Sequence, residues 1–153
     1  MLRAELQGDP DQPVILASAH LRGNSSLGCE RKGYTLSLSG PDRYLLPDSA
    51  SDEFHLISMC DDRAYTYAPT AYDLLTEDLF PLKRRFIELV VDGRTRGIYI
   101  LMEKAREELV RDHARATAVM RRGYPVNGRE FFEVEYPTTG DLTAPLTRYA
   151  AFE

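Results

Sequence analysis

The stretch Arg85-Phe86-Ile87-Glu88-Leu89-Val90-Val91, then Asp92-Gly93, then Arg94-Thr95-Arg96-Gly97-Ile98-Tyr99-Ile100-Leu101-Met102 decides the fold. Two runs rich in β-branched and aromatic residues flank Asp-Gly, the pair that accepts the positive φ values of a type I′ turn, so the reading is an antiparallel hairpin. A two-residue turn pairs Val91 with Arg94 and sets Glu88 opposite Gly97. Glycine inside a strand weakens it unless another chain segment or a ligand comes close at that point, which makes Gly97 a position of interest.

Outward from the hairpin, further strands are predicted at Pro13–Ser18, at Tyr34–Leu38, where apolar and polar residues alternate, and at Phe54–Met59. Apolar residues at helical spacing (Ala71, Leu74, Leu75, Leu79) predict a helix over Pro69–Phe80, stopped by Pro81. Glu103–Arg122 has a helical rhythm through Ala105, Leu109, His113, Ala116 and Met120, and Gly123-Tyr124-Pro125 ends it. Phe131–Pro137 reads as a last strand and Leu142–Phe152 as the start of another helix. The fold class expected is α+β, a mostly antiparallel sheet with packed helices, in one domain over residues 1–153.

Composition narrows the function. The chain has 153 residues, 19 Lys+Arg against 24 Asp+Glu, and a formal net charge of -5. An acidic balance disfavours a surface built to neutralise phosphate backbones, so no nucleic-acid partner is expected. No run approaches the roughly 18 apolar residues of a spanning helix, and the first residues lack the apolar core of a secretory signal. The chain therefore reads as soluble. Cys29 and Cys60 are too few for a disulfide scaffold or a tetrahedral metal site, and free buried thiols are the simpler reading. His20, His55 and His113 form no ligand pair, so no metal site is expected from them.

Three motifs carry possible chemistry. Gly23-Asn24-Ser25-Ser26-Leu27-Gly28 follows a strand and has the glycine spacing of a phosphate-binding P-loop, but Cys29-Glu30 stands where that motif needs Lys and a hydroxyl. It lacks the glycine of a nucleophile elbow as well, so no esterase triad is anchored there. Arg22, Arg31 and Lys32 nevertheless surround a turn rich in N–H donors and hydroxyls, which suits a phosphate; the plainer reading is a solvated basic turn. Lysine is scarce, with Lys32, Lys83 and Lys104 against 16 Arg, so a job that requires lysine has few candidates. Asp61-Asp62 could hold a divalent cation but more simply caps a helix, and Glu103-Lys104 reads as a surface ion pair.

In order, Leu21-Arg22-Gly23-Asn24-Ser25-Ser26, Arg31-Lys32-Gly33-Tyr34-Thr35-Leu36, Phe54-His55-Leu56-Ile57 with Asp61, and Asp92-Gly93-Arg94-Thr95-Arg96-Gly97-Ile98-Tyr99-Ile100-Leu101-Met102-Glu103-Lys104 resemble the spore coat protein H (CotH) kinase family of atypical protein kinases. Tyr136-Pro137 and Asp141-Leu142-Thr143 extend the resemblance, which covers residues 14 to 153. The sequence departs from the family at Arg31-Lys32, where Lys-Lys is usual, and after Asp61, where Ala64-Tyr65-Thr66-Tyr67 stands in place of an Arg-Asn pair.

The resemblance implies the nucleotide-binding N-terminal lobe of an atypical kinase, with the lobe that carries catalytic and metal-binding aspartates lying outside residues 1–153, so this chain alone is expected not to transfer phosphate. It implies ATP and magnesium as cofactors of the full-length parent and a protein substrate phosphorylated on Ser or Thr. It implies Arg22, Arg31 and Lys32 at the phosphates, Asn24, Ser25 and Ser26 shaping the loop, and Glu103 as an orienting partner of a cation. The alternative function is a non-catalytic module for spore-coat or cell-surface assembly or adhesion, with a protein partner.

Overall fold

Alternation of apolar and polar residues sets the strands, and their backbone groups find partners only across neighbouring strands. The computed structural model describes residues 2–7, 11, 13–23, 25–39, 45–46, 49, 51–62, 64–74, 82–104, 119–122, 132–136 and 147. The chain divides into two compact units, Met1–Lys104 and Ala105–Glu153.

The first unit contains β1 (Leu2–Leu6), β2 (Ile15–Arg22), a 3-10 turn (Ser25–Gly28), β3 (Gly33–Ser39), β4 (Glu53–Ile57), α1 (Tyr67–Leu74), β5 (Arg84–Val91) and β6 (Arg94–Glu103). The strands form one six-stranded sheet in the order β1-β2-β3-β4-β6-β5, antiparallel throughout. One face gathers Ala17 and Ala19 from β2, Leu36 and Leu38 from β3, Phe54 and Leu56 from β4, and Tyr99 and Leu101 from β6, with Leu45 and Leu46 packed on it. Phe54 and Tyr99 are fully buried there. On the other face α1 lays Ala68 and Tyr72 against Met59, Ile100 and Met102. Arg84 fastens this helix by pairing with Asp73 and by lying 5.1 Å from the centre of the Tyr72 ring.

The hairpin is present, with Val91 opposite Arg94 and both Asp92 (φ 52°) and Gly93 (φ 71°) in the left-handed region that a type I′ turn requires. Further along, the register differs from the two-residue count. Leu89, not Glu88, faces Gly97, and Glu88 faces Ile98, because a bulge between Leu89 and Val90 leaves one extra residue on β6. Gly97 has φ 91°, a conformation other residues seldom adopt.

The expected set of packed helices, and with it the kinase-type lobe, is corrected. Within the first unit's described residues α1, eight residues long, is the one α-helix, and the architecture is mostly antiparallel sheet. The helix expected over Glu103–Arg122 fails at both ends. Glu103 continues β6, pairing with Phe54, and Val119–Arg122 is a strand, β7. A helical rhythm in a charged segment is weak where strand partners are available, and β7 finds one in β8 (Phe132–Tyr136), with which it forms an antiparallel pair in the second unit. The helix expected over 69–80 begins earlier, at Tyr67, and residues 75–80 lie outside the described set. Of the helix expected over 142–152 only Thr147 is described, and it is helical. No described helix is long and apolar enough to cross a membrane.

Candidate functional site

Because β2, β3 and β4 are antiparallel neighbours, the β2–β3 connection and the exit of β4 emerge at the same end of the sheet. A cleft of about 340 Å³ opens there. Arg22, Ser26 and Gly33 form one wall, residues 56–62 the floor, and Tyr67 and Ala68 of α1 the other wall.

The connection itself is tightly determined. Gly23 has φ 107°, and a Cβ placed on it would stand 1.8 Å from Ser26 Oγ, so only glycine lets the chain fold back under the Ser26 hydroxyl. Gly33 performs a similar service for Arg22: its missing Cβ would lie 3.3 Å from Arg22 Cγ, and the arginine stem passes over it into the cleft. Ser25 lies in the 3-10 turn, while Asn24 falls outside the described residues.

The three cations of this region go to three places. Arg22 lines the cleft. Lys32 Nζ donates to the Leu27 carbonyl at 2.6 Å, capping the 3-10 turn beside it. Arg31 leaves the group and reaches β6, where its Nη1 donates to Tyr65 Oη at 2.8 Å and to the Ile98 carbonyl at 3.2 Å. Its guanidinium lies 5.3 Å and 6.0 Å from the centres of the Tyr65 and Tyr99 rings. Burial pushes the Tyr99 phenol above its ordinary value, with Tyr34 adding to the shift and Arg31 and Arg96 opposing it.

Glu103 is buried. Its carboxylate accepts from Ser49 Oγ at 2.7 Å and from the Lys83 backbone N–H at 2.9 Å. Lys104 does not pair with its neighbour; its ammonium meets Glu53 at 3.0 Å.

The two adjacent aspartates diverge. Asp62 is buried, and its carboxylate accepts from the backbone N–H groups of Thr66 and Ala68, each at 3.1 Å, at the start of α1. Desolvation raises its pKa, but N–H donors from Ala68, Thr66, Tyr67 and Tyr65 outweigh that and hold the carboxyl below its ordinary value. Met59 (φ 48°) and Tyr65 (φ 55°) take left-handed conformations on either side of it, and Asp62 bonds back to Met59 and forward to Tyr65 through the backbone. Asp62 is thus the helix cap that two acids before a helix suggest. Asp61 is exposed at the rim of the cleft.

Cys29 and Cys60 are joined in a disulfide, with their Cα atoms 6.1 Å apart. This corrects the expectation of free buried thiols. Cys29 follows the 3-10 turn and Cys60 follows β4, so strand adjacency brings together two residues 31 apart in sequence. No single-strand pattern carries that signal, although two cysteines always permit one bridge. Sequence reading also missed Tyr65, which holds Arg31, and Ser49, which holds Glu103; both lie in segments without strong periodicity.

The described part of the first unit is thus a mostly antiparallel sheet with a basic, hydroxyl-bearing connection at one end. The sequence profile of the family described as CotH kinase protein matches residues 19–140, so the chain belongs to that family. Among curated proteins the sequence has no significant match.

Proposed function

We propose that this chain is the nucleotide-binding part of a CotH-type atypical protein kinase and that the cleft between Arg22 and α1 receives the phosphates of ATP. The observation that carries the reading is that Arg22, Ser26 and the glycine-thinned backbone at Gly33 line one cleft, within a chain of this family. Charge-assisted donors of this kind are the strong ones toward phosphate oxygens. Lys32, held at the Leu27 carbonyl by one of its three protons, keeps two for an anion beside the turn. Arg31 and Glu103 support the reading from behind: Arg31 ties the β2–β3 connection to β6, and Glu103 fixes Lys83 and Ser49.

The donor set suits phosphate better than it suits magnesium. Asp62 is filled by backbone N–H groups, and Asp61 alone is too little to seat an ion that enters such sites carrying phosphate oxygens and water. Bound with the nucleotide, magnesium neutralises phosphate charge; the chain's own residues orient the phosphates and supply the remaining positive charge. Transfer to protein Ser or Thr belongs to the same proposal.

The test is equilibrium titration of the chain with ATP, with and without magnesium. Arg22→Ala and Lys32→Ala should each weaken binding by about 10-fold or more, the worth of one charged hydrogen bond, while Lys83→Ala, whose backbone N–H is unaltered, should bind as before. Equal losses in all three would reduce the effect to net charge and overturn the site. The disulfide favours a second reading, a non-catalytic module at a spore or cell surface, since such bonds persist in oxidising surroundings. Indifference to ATP would select it.

A further inference from the structure

We infer that Cys29, Cys60 and Asp61 form a zinc site when the disulfide is reduced, so that the mouth of the cleft has two exclusive states, one bridged and one metallated. One ligand atom from each residue, the two Sγ and a carboxylate oxygen, lies within 4.8 Å of the others. Both cysteines are half-buried and Asp61 is exposed, which leaves the third side open to solvent. Among the described residues the Asp61 carboxylate has no hydrogen-bond or ion-pair partner, in contrast to Asp62, whose oxygens are both taken.

Zinc bound by two thiolates at about 2.3 Å in a tetrahedral site sets the sulfurs about 3.8 Å apart. Side-chain rotation across Cα atoms 6.1 Å apart spans that separation without moving the backbone. The carboxylate supplies a third ligand and water the fourth, the arrangement of an open site. Two thiolates select a borderline-soft ion such as zinc over magnesium or calcium.

The chemistry balances with a dithiol as reductant. One dithiol thiolate attacks a cystine sulfur, its second thiol resolves the mixed disulfide, and the products are two cysteine thiols and a cyclic disulfide. Zinc then displaces one proton from each thiol. The bound centre carries one net negative charge, and two of its ligands, Cys60 and Asp61, line the cleft that Arg22 also lines.

The experiment titrates zinc into the chain, oxidised or reduced with a phosphine under anaerobic conditions, against a chromophoric chelator, with cobalt as a spectroscopic substitute. One equivalent should bind to the reduced chain alone, and cobalt should give a thiolate charge-transfer band with tetrahedral d–d absorption. Loss of outer-shell partners already weakens metal sites 10–100-fold, so Cys29→Ser, Cys60→Ser and Asp61→Asn should each cost more than about 100-fold. Circular dichroism follows the fold throughout. Should reduction unfold the chain, zinc is expected to restore it, since site formation then supplies folding energy. Absence of stoichiometric binding by a folded reduced chain, failure of zinc to refold an unfolded one, retained affinity in the double cysteine variant, or an Asp61→Asn variant equal to the parent would each overturn the inference. None of these outcomes depends on ATP binding.

Discussion

Arg31 crosses β6 at Gly97: its Nη1 lies 3.1 Å from the point where a Gly97 Cβ would sit, and the same nitrogen donates to the next carbonyl, that of Ile98. Glycine is required here for φ 91°, and a Cβ would in addition crowd the end of the Arg31 side chain. Gly97→Ala should therefore lower stability by about 1–3 kcal/mol, the range for a side chain forced into such a conformation. Urea unfolding measures it, and Arg31→Ala in the same background should recover only the steric part of the loss.

At the hairpin tip the demand is conformational alone, because nothing lies within 4 Å of a Cβ on Gly93. Gly93→Val should cost roughly 1–3 kcal/mol through strain at φ 71°. Gly93→Asn should cost distinctly less, as asparagine tolerates the left-handed region. Thermal unfolding of the two variants side by side distinguishes strain from lost contact.

Glu103 accepts from one hydroxyl and one backbone N–H in a buried setting. Glu103→Ala leaves both donors without their acceptor and should destabilise the chain by about 1–3 kcal/mol, the desolvation penalty of the buried Ser49 hydroxyl, with a smaller addition from the part-buried Lys83 N–H. Glu103→Gln keeps one acceptor oxygen and should lose less. The comparison is read from denaturant midpoints, and an unchanged midpoint for the alanine variant would contradict the burial.

Asp62 links stability to pH. Its carboxyl titrates below the ordinary value of 3.8, so the folded state binds that proton less readily than the unfolded one. The stabilisation is in place above the ordinary value and disappears as pH falls through the lowered one. Asp62→Ala should be less stable than the parent near neutrality, and the gap should narrow as pH is lowered from neutrality to below 3.8. Chemical unfolding across that range reports the closing gap.

The Cys29–Cys60 bridge closes a loop with sequence separation 31. Chain-entropy arithmetic for such a loop gives a stabilisation of about 3–4 kcal/mol. The Cys29→Ser, Cys60→Ser double variant should lose that amount in metal-free buffer, measured by urea unfolding against the oxidised parent.

Where a backbone preference is local, the sequence by itself determined the structure. Asp92-Gly93 dictates its turn through two positive φ values, and the alternation in Tyr34–Leu38 dictates a strand because one face must be buried. The pair Asp61-Asp62 before a helix likewise announced a cap, and Asp62 provides it. Only the tertiary structure decided which partners distant residues found. Arg31 meets Ile98 across 67 positions, Ser49 meets Glu103 across 54, and Cys29 meets Cys60 across 31. Spacing along the chain contains no term for such encounters; they follow from strand order. The bulge beside Gly97 and the strand at Val119–Arg122 have the same origin, since a residue's register and even its secondary structure depend on the strand laid next to it.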